Sequence, residues 1–342
     1  MLEASVEELA DEIFRDFILR PSFAARPSIP GLRRRHTPIQ RALPIGLGIA
    51  YTERPDDFML AVRVQDEPLS KHKDVLGQIS ARARGEVNIE VVRDVSLYHE
   101  HTHHNARAIR SGPVLLGSSI STSDSNALTG TIGLFPFSKK NDKQVILSCA
   151  HVFESTGISN SREIIQPGTA DGGTIDNAIG TLLSLYPVNL DNQENVIDAA
   201  IADPYAGIGD LINTVINPAS NKVFTISGVI PPPNHGQVVH KLGRTTGFTS
   251  GRIRSKRIRF IEIDYQGNTA LFTGFSEIVC NDWLKPFSAK GDSGAVVFDD
   301  DGAAFGMVFA GGRHFNPGWN IYPDITYAAP LTNIFDLLEL RL

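Results

Sequence analysis

Gly291-Asp292-Ser293-Gly294 leads straight into the apolar run Ala295-Val296-Val297-Phe298. Glycine permits backbone conformations that other residues adopt only with strain. Such a turn can hold a serine hydroxyl outward and aim neighbouring N–H groups at one point. An acyl-transfer nucleophile with an oxyanion hole needs both. Taken alone, the tetrapeptide also fits an ordinary glycine-rich turn. For chemistry, a base and an acid that orients it must lie elsewhere in the chain.

Two upstream residues have the right types. Residues 144–152 read Gln-Val-Ile-Leu-Ser-Cys-Ala-His-Val, an apolar strand that ends in small residues and presents His151. Residues 195–202 read Asn-Val-Ile-Asp-Ala-Ala-Ile-Ala, an apolar strand interrupted by Asp198. A buried carboxylate is costly unless hydrogen-bonded, and an imidazole N–H is a natural partner. Each alone also reads as structural. Together they stand in the order His, Asp, Ser, with gaps of 47 and 95 residues. One known serine-nucleophile template has that order, with gaps of about 45 and about 93.

The elements that must position these residues come next. The chain has 342 residues, 42% hydrophobic and 20% charged, an ordinary composition for a large packed core. That length predicts two domains, or one large β domain with a smaller companion. From Gly112 onward, short apolar or alternating runs recur at 113–117, 130–137, 144–149, 179–186, 196–202, 222–230, 237–242, 246–253, 258–264, 270–279, 295–299 and 303–310, punctuated by Gly, Pro, Asn and Asp. This pattern predicts an all-β barrel or sandwich. Residues 331–340 read as a closing helix with Thr332 as N-cap.

Upstream, Leu2, Val6, Leu9, Ile13 and Phe17 recur at steps of three and four among acids, which predicts an amphipathic helix over 2–20 docked on its own chain. A linker to residue 43 follows, with several prolines and Arg33-Arg34-Arg35. Residues 44–52 and 58–65 read as strands, 70–83 as a helix and 86–93 as a strand, a small ββαβ domain over 44–95. Residues 96–111 carry His99, His101, His103 and His104 around Glu100 and read as a polar interdomain linker. A metal site is the alternative there, but no cysteine or further carboxylate pattern frames one, so no metal or cofactor is expected.

Residues 112–342 resemble the chymotrypsin-like serine protease superfamily. The resemblance rests on the segment 147–152, on Asp198-Ala199-Ala200-Ile201, on Gly243-Arg244-Thr245-Thr246-Gly247 and on Gly291-Asp292-Ser293-Gly294. With Gln166-Pro167-Gly168 and Phe309-Ala310-Gly311 added, residues 44–342 look most like an intracellular bacterial and plant trypsin-like group that includes the plant narrow-leaf proteins. The resemblance implies a mainly β chain, a double six-stranded β-barrel with the ββαβ unit and helix appended. It implies Ser293 as nucleophile, His151 as base, Asp198 as the orienting acid, and the N–H groups of Gly291 and Ser293 as oxyanion hole. An ungapped count puts Phe287 at the base of the specificity pocket, which does not support cleavage after Lys or Arg. Phe309, Ala310 and Gly311 look like the pocket wall and point to an uncharged P1 residue. No Ile-Val-Gly-Gly start precedes 112, so no zymogen mechanism is expected, and Asp292 must find a partner other than a freed N-terminus.

The expected substrate is a protein or peptide, with a companion protein as one reading. A net charge of −6 gives no basic field for nucleic acid. No apolar run approaches the roughly 18 residues of a membrane span. The acidic N-terminus does not read as a secretory signal. Two cysteines, Cys149 and Cys280, fit a reduced, cytoplasmic protein, with one disulfide as the alternative. Arg252, Arg254, Lys256, Arg257 and Arg259 crowd one segment. They read as a charged hairpin edge, or as a dock for an acidic partner. A non-enzymatic binding protein on the same fold is the alternative function.

Overall fold

The computed structural model describes residues 1–18, 43–54, 56–65, 69–97, 114–154, 162–191, 193–233, 237–282, 285–315 and 324–342. The linker with Arg33-Arg34-Arg35 and the cluster His99, Glu100, His101, His103 and His104 lie outside them.

The N-terminal third contains helix α1 (Glu3–Ile13), continued by a wider π-helical turn over Phe14–Ile18, then β1 (Ile45–Tyr51), β2 (Phe58–Val64), α2 (Lys73–Arg82) and β3 (Val87–Leu97). The expected helix docks on its own chain. Val6, Ala10, Ile13, Phe14 and Ile18 are buried against Leu47, Ile49, Leu60 and Val62. Phe14 stacks on Phe260 with ring centroids 3.6 Å apart. β1 and β2 are antiparallel, and β3 returns parallel to β2 through α2. That crossover needs a helix, because parallel strands cannot be joined by a tight turn.

The first barrel is built from β4 (Ser119–Thr122), β5 (Gly130–Thr131), β6 (Phe137–Ser138), β7 (Ile146–Ser148), the short helix α3 (Ala150–Phe153), β8 (Glu163–Ile165), β9 (Ala178–Leu185) and β11 (Ala200–Pro204), while β10 (Glu194–Asn195), between β9 and β11, pairs instead with residues 271–272 in the large sheet. Six of its strands run in the order β5-β4-β8-β9-β11-β7. An isolated bridge between Leu134 and Leu147 draws the two ends of this sheet together. A bridging segment with β12 (Thr214–Ile216), β13 (Val223–Thr225) and β14 (Gly228–Val229) follows.

The second barrel uses β15 (Val238–Gly243), β16 (Gly247–Arg259), β17 (Ile261–Tyr265), β18 (Asn268–Phe272), β19 (Phe275–Cys280), β20 (Val296–Asp299), β21 (Ala303–Phe315) and β22 (Asp324–Pro330), before α4 (Leu331–Leu337) and β23 (Leu340–Arg341). The order β16-β15-β20-β21-β22-β19 closes on itself, since β19 also pairs with β16. The mainly β architecture with two six-stranded barrels is therefore as expected.

The ββαβ unit does not hang beside the barrels. β1 pairs with β16, and β3 pairs with β17 and β21, so its strands continue the second barrel's sheet. Arg63 on β2 rivets this junction. Its Nε and Nη2 donate to Glu277 on β19 at 2.9 and 2.8 Å, and Nη2 also donates to Ser255 Oγ at 2.9 Å. Within the basic segment 252–259, Lys256 pairs with Glu3, Arg257 with Glu7 and Arg259 with Asp11 of α1, while Arg254 pairs with Glu90 of β3. The acidic partner foreseen as one reading of that segment is the chain's own first helix.

Some local expectations differ. Residues 114–117 form no strand, and the first barrel instead starts at β4, a Ser/Thr-rich segment with one apolar side chain. Residues 270–279 divide into β18 and β19 around a turn at Gly274, whose φ is +86°. α4 is capped at Pro330, not at Thr332, because the extended chain of β22 runs directly into the helix. Cys149 and Cys280 are both free thiols.

Candidate active site

His151 and Asp198 are brought together by strand register. β11 pairs antiparallel with β7, Ala200 opposite Ser148. Asp198 precedes β11 by two residues, and α3 begins two residues after β7, so the same alignment sets Asp198 beside α3. His151 is the second residue of that helix. Its main-chain N–H donates to Asp198 Oδ1 at 3.1 Å, and its Nδ1 hydrogen-bonds Asp198 Oδ2. Nδ1 must carry the proton, because the carboxylate only accepts. The ring is thereby fixed in one orientation with Nε2 at its far end.

The Ser293 turn is held against this pair from the second barrel. Thr131 N–H donates to Ser293 O at 2.7 Å, and Thr131 Oγ1 donates to Gly291 O at 2.8 Å. Val308 O accepts both Gly294 N–H at 2.8 Å and the Cys149 thiol at 3.2 Å. A side chain at position 294 would lie 2.4 Å from Ser148 Oγ. The Ser293 turn thus packs on the end of the strand that presents His151. Ser293 Oγ donates to Phe309 O at 3.2 Å. Gly291 has φ +97°, a region where a side chain is strained.

The partner of Asp292 is the Gly243–Gly247 turn. Its Oδ1 accepts N–H from Thr245 at 2.8 Å and Thr246 at 3.2 Å. Its Oδ2 accepts Thr246 Oγ1 at 2.6 Å and Ala289 N–H at 3.0 Å, with buried Lys241 Nζ at 3.4 Å. The same turn is anchored by Arg244, whose guanidinium forks onto Asp171. Lys241, Asp171 and Thr131 were not singled out from the sequence. The lysine had a readable signal, as a charge inside the otherwise apolar strand Val238-Val239-His240-Lys241-Leu242. Asp171 and Thr131 had none.

His151, Asp198 and Ser293 are each 0% exposed, so the site is closed over. Tyr265, at the end of β17, sets its ring edge-on to His151 at 6.2 Å, and its hydroxyl reaches Glu154 Oε2 at 3.4 Å. Burial, then the nearby Asp198 charge, raises the Glu154 carboxyl and pushes the Tyr265 hydroxyl well up. The same two causes push the Cys149 thiol well up. Cys149, His151 and Asp198 place ligand atoms within 4.8 Å of one another, the one such group among the described residues.

Of the four residues expected at the pocket, Phe309 and Ala310 belong to one apolar cluster and Phe287 to another. Phe309, Ala310 and Gly311 follow one another on β21. Phe287 is buried in a separate apolar cluster with Val239, Ile253, Ile278 and Phe305. Thr249 Oγ1 donates to its carbonyl at 2.7 Å.

No protein-family model matches the chain, and no curated protein does. Solved structures do. The Nocardiopsis protease is 20% identical, over 68% of this chain and 99% of that one, with a TM-score of 0.46. Thermobifida fusca protease A is 17% identical, over 68% and 98%, with a TM-score of 0.45. Cellulomonas bogoriensis chymotrypsin is 20% identical, over 67% and 98%, with a TM-score of 0.43.

Proposed function

We propose that the chain is a serine endopeptidase that hydrolyses peptide bonds through an acyl-enzyme. The observation that carries this reading is the buried His151–Asp198 pair on the strand end that packs against the Ser293 turn. In this mechanism Ser293 Oγ attacks the scissile carbonyl while His151 Nε2 takes its proton. The C–N bond then breaks, and the imidazolium returns the proton to the leaving amine. Water repeats the sequence to release the acid. Asp198 keeps the Nδ1 proton in place and stabilises the charged ring. The N–H groups of Gly291 and Ser293 bind the oxyanion, an effect worth about 10²–10³ in rate for each donor.

The P1 side chain lies along Phe309, Ala310 and Gly311, and an uncharged P1 residue is the reading these apolar and small groups support. Residues 112–342 are the protease unit, and the ββαβ unit over 44–95 serves it as a regulatory or substrate-presenting part. Two free thiols support a reduced, cytoplasmic setting. Among the described residues no helix is long and apolar enough to cross a membrane. The substrate is a protein or peptide of narrow range, such as a companion protein. Neither nucleic acid nor a membrane is part of this reading. The full burial of the three side chains favours one second reading, a binding or scaffold protein that has kept the residues without the activity.

Hydrolysis of denatured casein by the wild-type chain and by Ser293→Ala and His151→Ala separates the two. Both variants are expected to lose at least about 10⁴-fold in rate. Equal rates in all three would remove the protease reading.

A further inference from the structure

Phe309 O accepts the Ser293 hydroxyl, so the stretch of β21 just after it is the strand edge nearest the nucleophile. That edge is occupied by the chain itself. β3 runs antiparallel along it, with Leu97 opposite Ala310 and Ser96 opposite Gly311. Beyond a register shift the pairing resumes, with Arg93 opposite Arg313 and Val92 opposite His314. Gly312 shows how tightly β3 lies there, since a Cβ would sit 2.8 Å from Arg93 O and 3.1 Å from Val95 Cγ2. On its other side Ser96 pairs with Asp264 of β17, the strand whose Tyr265 abuts His151. Leu97 is 0% exposed and belongs to the same apolar cluster as Phe309, Ala310 and Tyr265.

An extended peptide recognises a protein most economically by adding a strand to a free sheet edge. A nucleophile must also come within about 3–3.5 Å of the carbonyl that it attacks. Neither condition is met while Ser96 and Leu97 hold the edge and Ser293 is 0% exposed. On the reading of Ser293 as nucleophile, we propose that the C-terminal end of β3 is a resident strand in the place of the peptide substrate. The intact chain then turns over polypeptides slowly, only through the fraction of molecules in which Ser96-Leu97 has left β21. The substrate enters as an extended strand, antiparallel to β21, in the same slot.

The test frees this end in two ways, Ser96→Pro, which removes a strand N–H, and Leu97→Lys, which cannot return to an apolar slot. Both variants and the wild type are compared for reaction of Ser293 with a fluorophosphonate and for casein hydrolysis, with near-ultraviolet circular dichroism to confirm folding. Both variants are expected to hydrolyse casein at least about tenfold faster than the wild type, the equivalent of one or two lost hydrogen bonds. A folded variant that is no faster would overturn the inference. Should neither variant fold, the wild type decides. After its complete reaction with a peptidyl phosphonate carrying a P1 phenylalanine, hydrogen exchange over residues 93–97 is expected to quicken. Unchanged protection with the peptide in place would overturn the inference and leave the proposed function standing. Failure of both reagents to modify Ser293 in all three proteins would remove the proposed function, and this inference with it.

Discussion

Two buried carboxylates on the second barrel, Asp292 and Glu277, are both 0% exposed and both face a cation, yet they do different work. Asp292 accepts three main-chain N–H groups and one hydroxyl, with Lys241 behind. Those donors belong to two turns, so the carboxylate fixes a local shape next to Ser293. Glu277 instead takes its short bonds from one guanidinium, Arg63, which comes from a strand 214 residues away. It joins two parts of the chain and fixes no turn. A carboxylate held mainly by neutral donors tolerates loss of its cation better than one held by the cation alone.

The sharpest way to break this contrast is to remove each cation. Arg63→Met leaves Glu277 buried without its donors and is expected to cost about 3–5 kcal/mol of stability. Lys241→Met leaves four hydrogen bonds on Asp292 and is expected to cost about 1–3 kcal/mol, with its main effect on Ser293 reactivity. Urea unfolding and fluorophosphonate reaction rates measure the two. Equal stability losses, or a reactivity loss confined to Arg63→Met, would undo the distinction.

A smaller effect comes from pH. Burial lowers the His314 imidazole to about 3, although Glu277 beside it works the other way. Neutral His314 then donates from Nδ1 to Glu90 at 3.1 Å and accepts the Tyr327 hydroxyl at Nε2, at 2.8 Å. Burial, the largest single influence, would raise Glu277, but the Arg63 charge, the Arg63 hydrogen bonds and the other nearby positive charges together outweigh it and bring the carboxyl down to about 2. In both groups the unfolded chain binds the proton more readily, so stability falls as pH drops. For His314 the loss runs from about pH 6.5 down to about 3. For Glu277 it runs from about pH 4.3 down to about 2. The melting temperature of His314→Gln is therefore expected to decline less between pH 7 and about pH 5 than that of the wild type. A parallel decline would show that His314 does not carry that slope.

The residues proposed for the chemistry were more legible in the sequence than their setting. His151, Asp198 and Ser293 stand out because each breaks a local pattern. One is a histidine after small residues, one an acid inside an apolar strand, one a serine between glycines. The strands and helix of the ββαβ unit were legible for a similar reason, since their periodicities are long and clean. Its place was not. Pairing of β1 with β16 and of β3 with β21 links residues more than 200 positions apart, and backbone hydrogen bonds leave no trace in side-chain pattern. β4 was missed because a Ser/Thr-rich strand with one apolar side chain carries little hydrophobic signal.

The central claim is that Ser293 is a nucleophile activated by His151. Intact mass and peptide mapping after prolonged fluorophosphonate treatment test it most directly, in the wild type, Ser96→Pro, Ser293→Ala and His151→Gln. The account predicts one adduct, on Ser293, slow in the wild type, faster in Ser96→Pro and absent from the other two. An adduct of equal yield in Ser293→Ala, or none in folded Ser96→Pro, would contradict it.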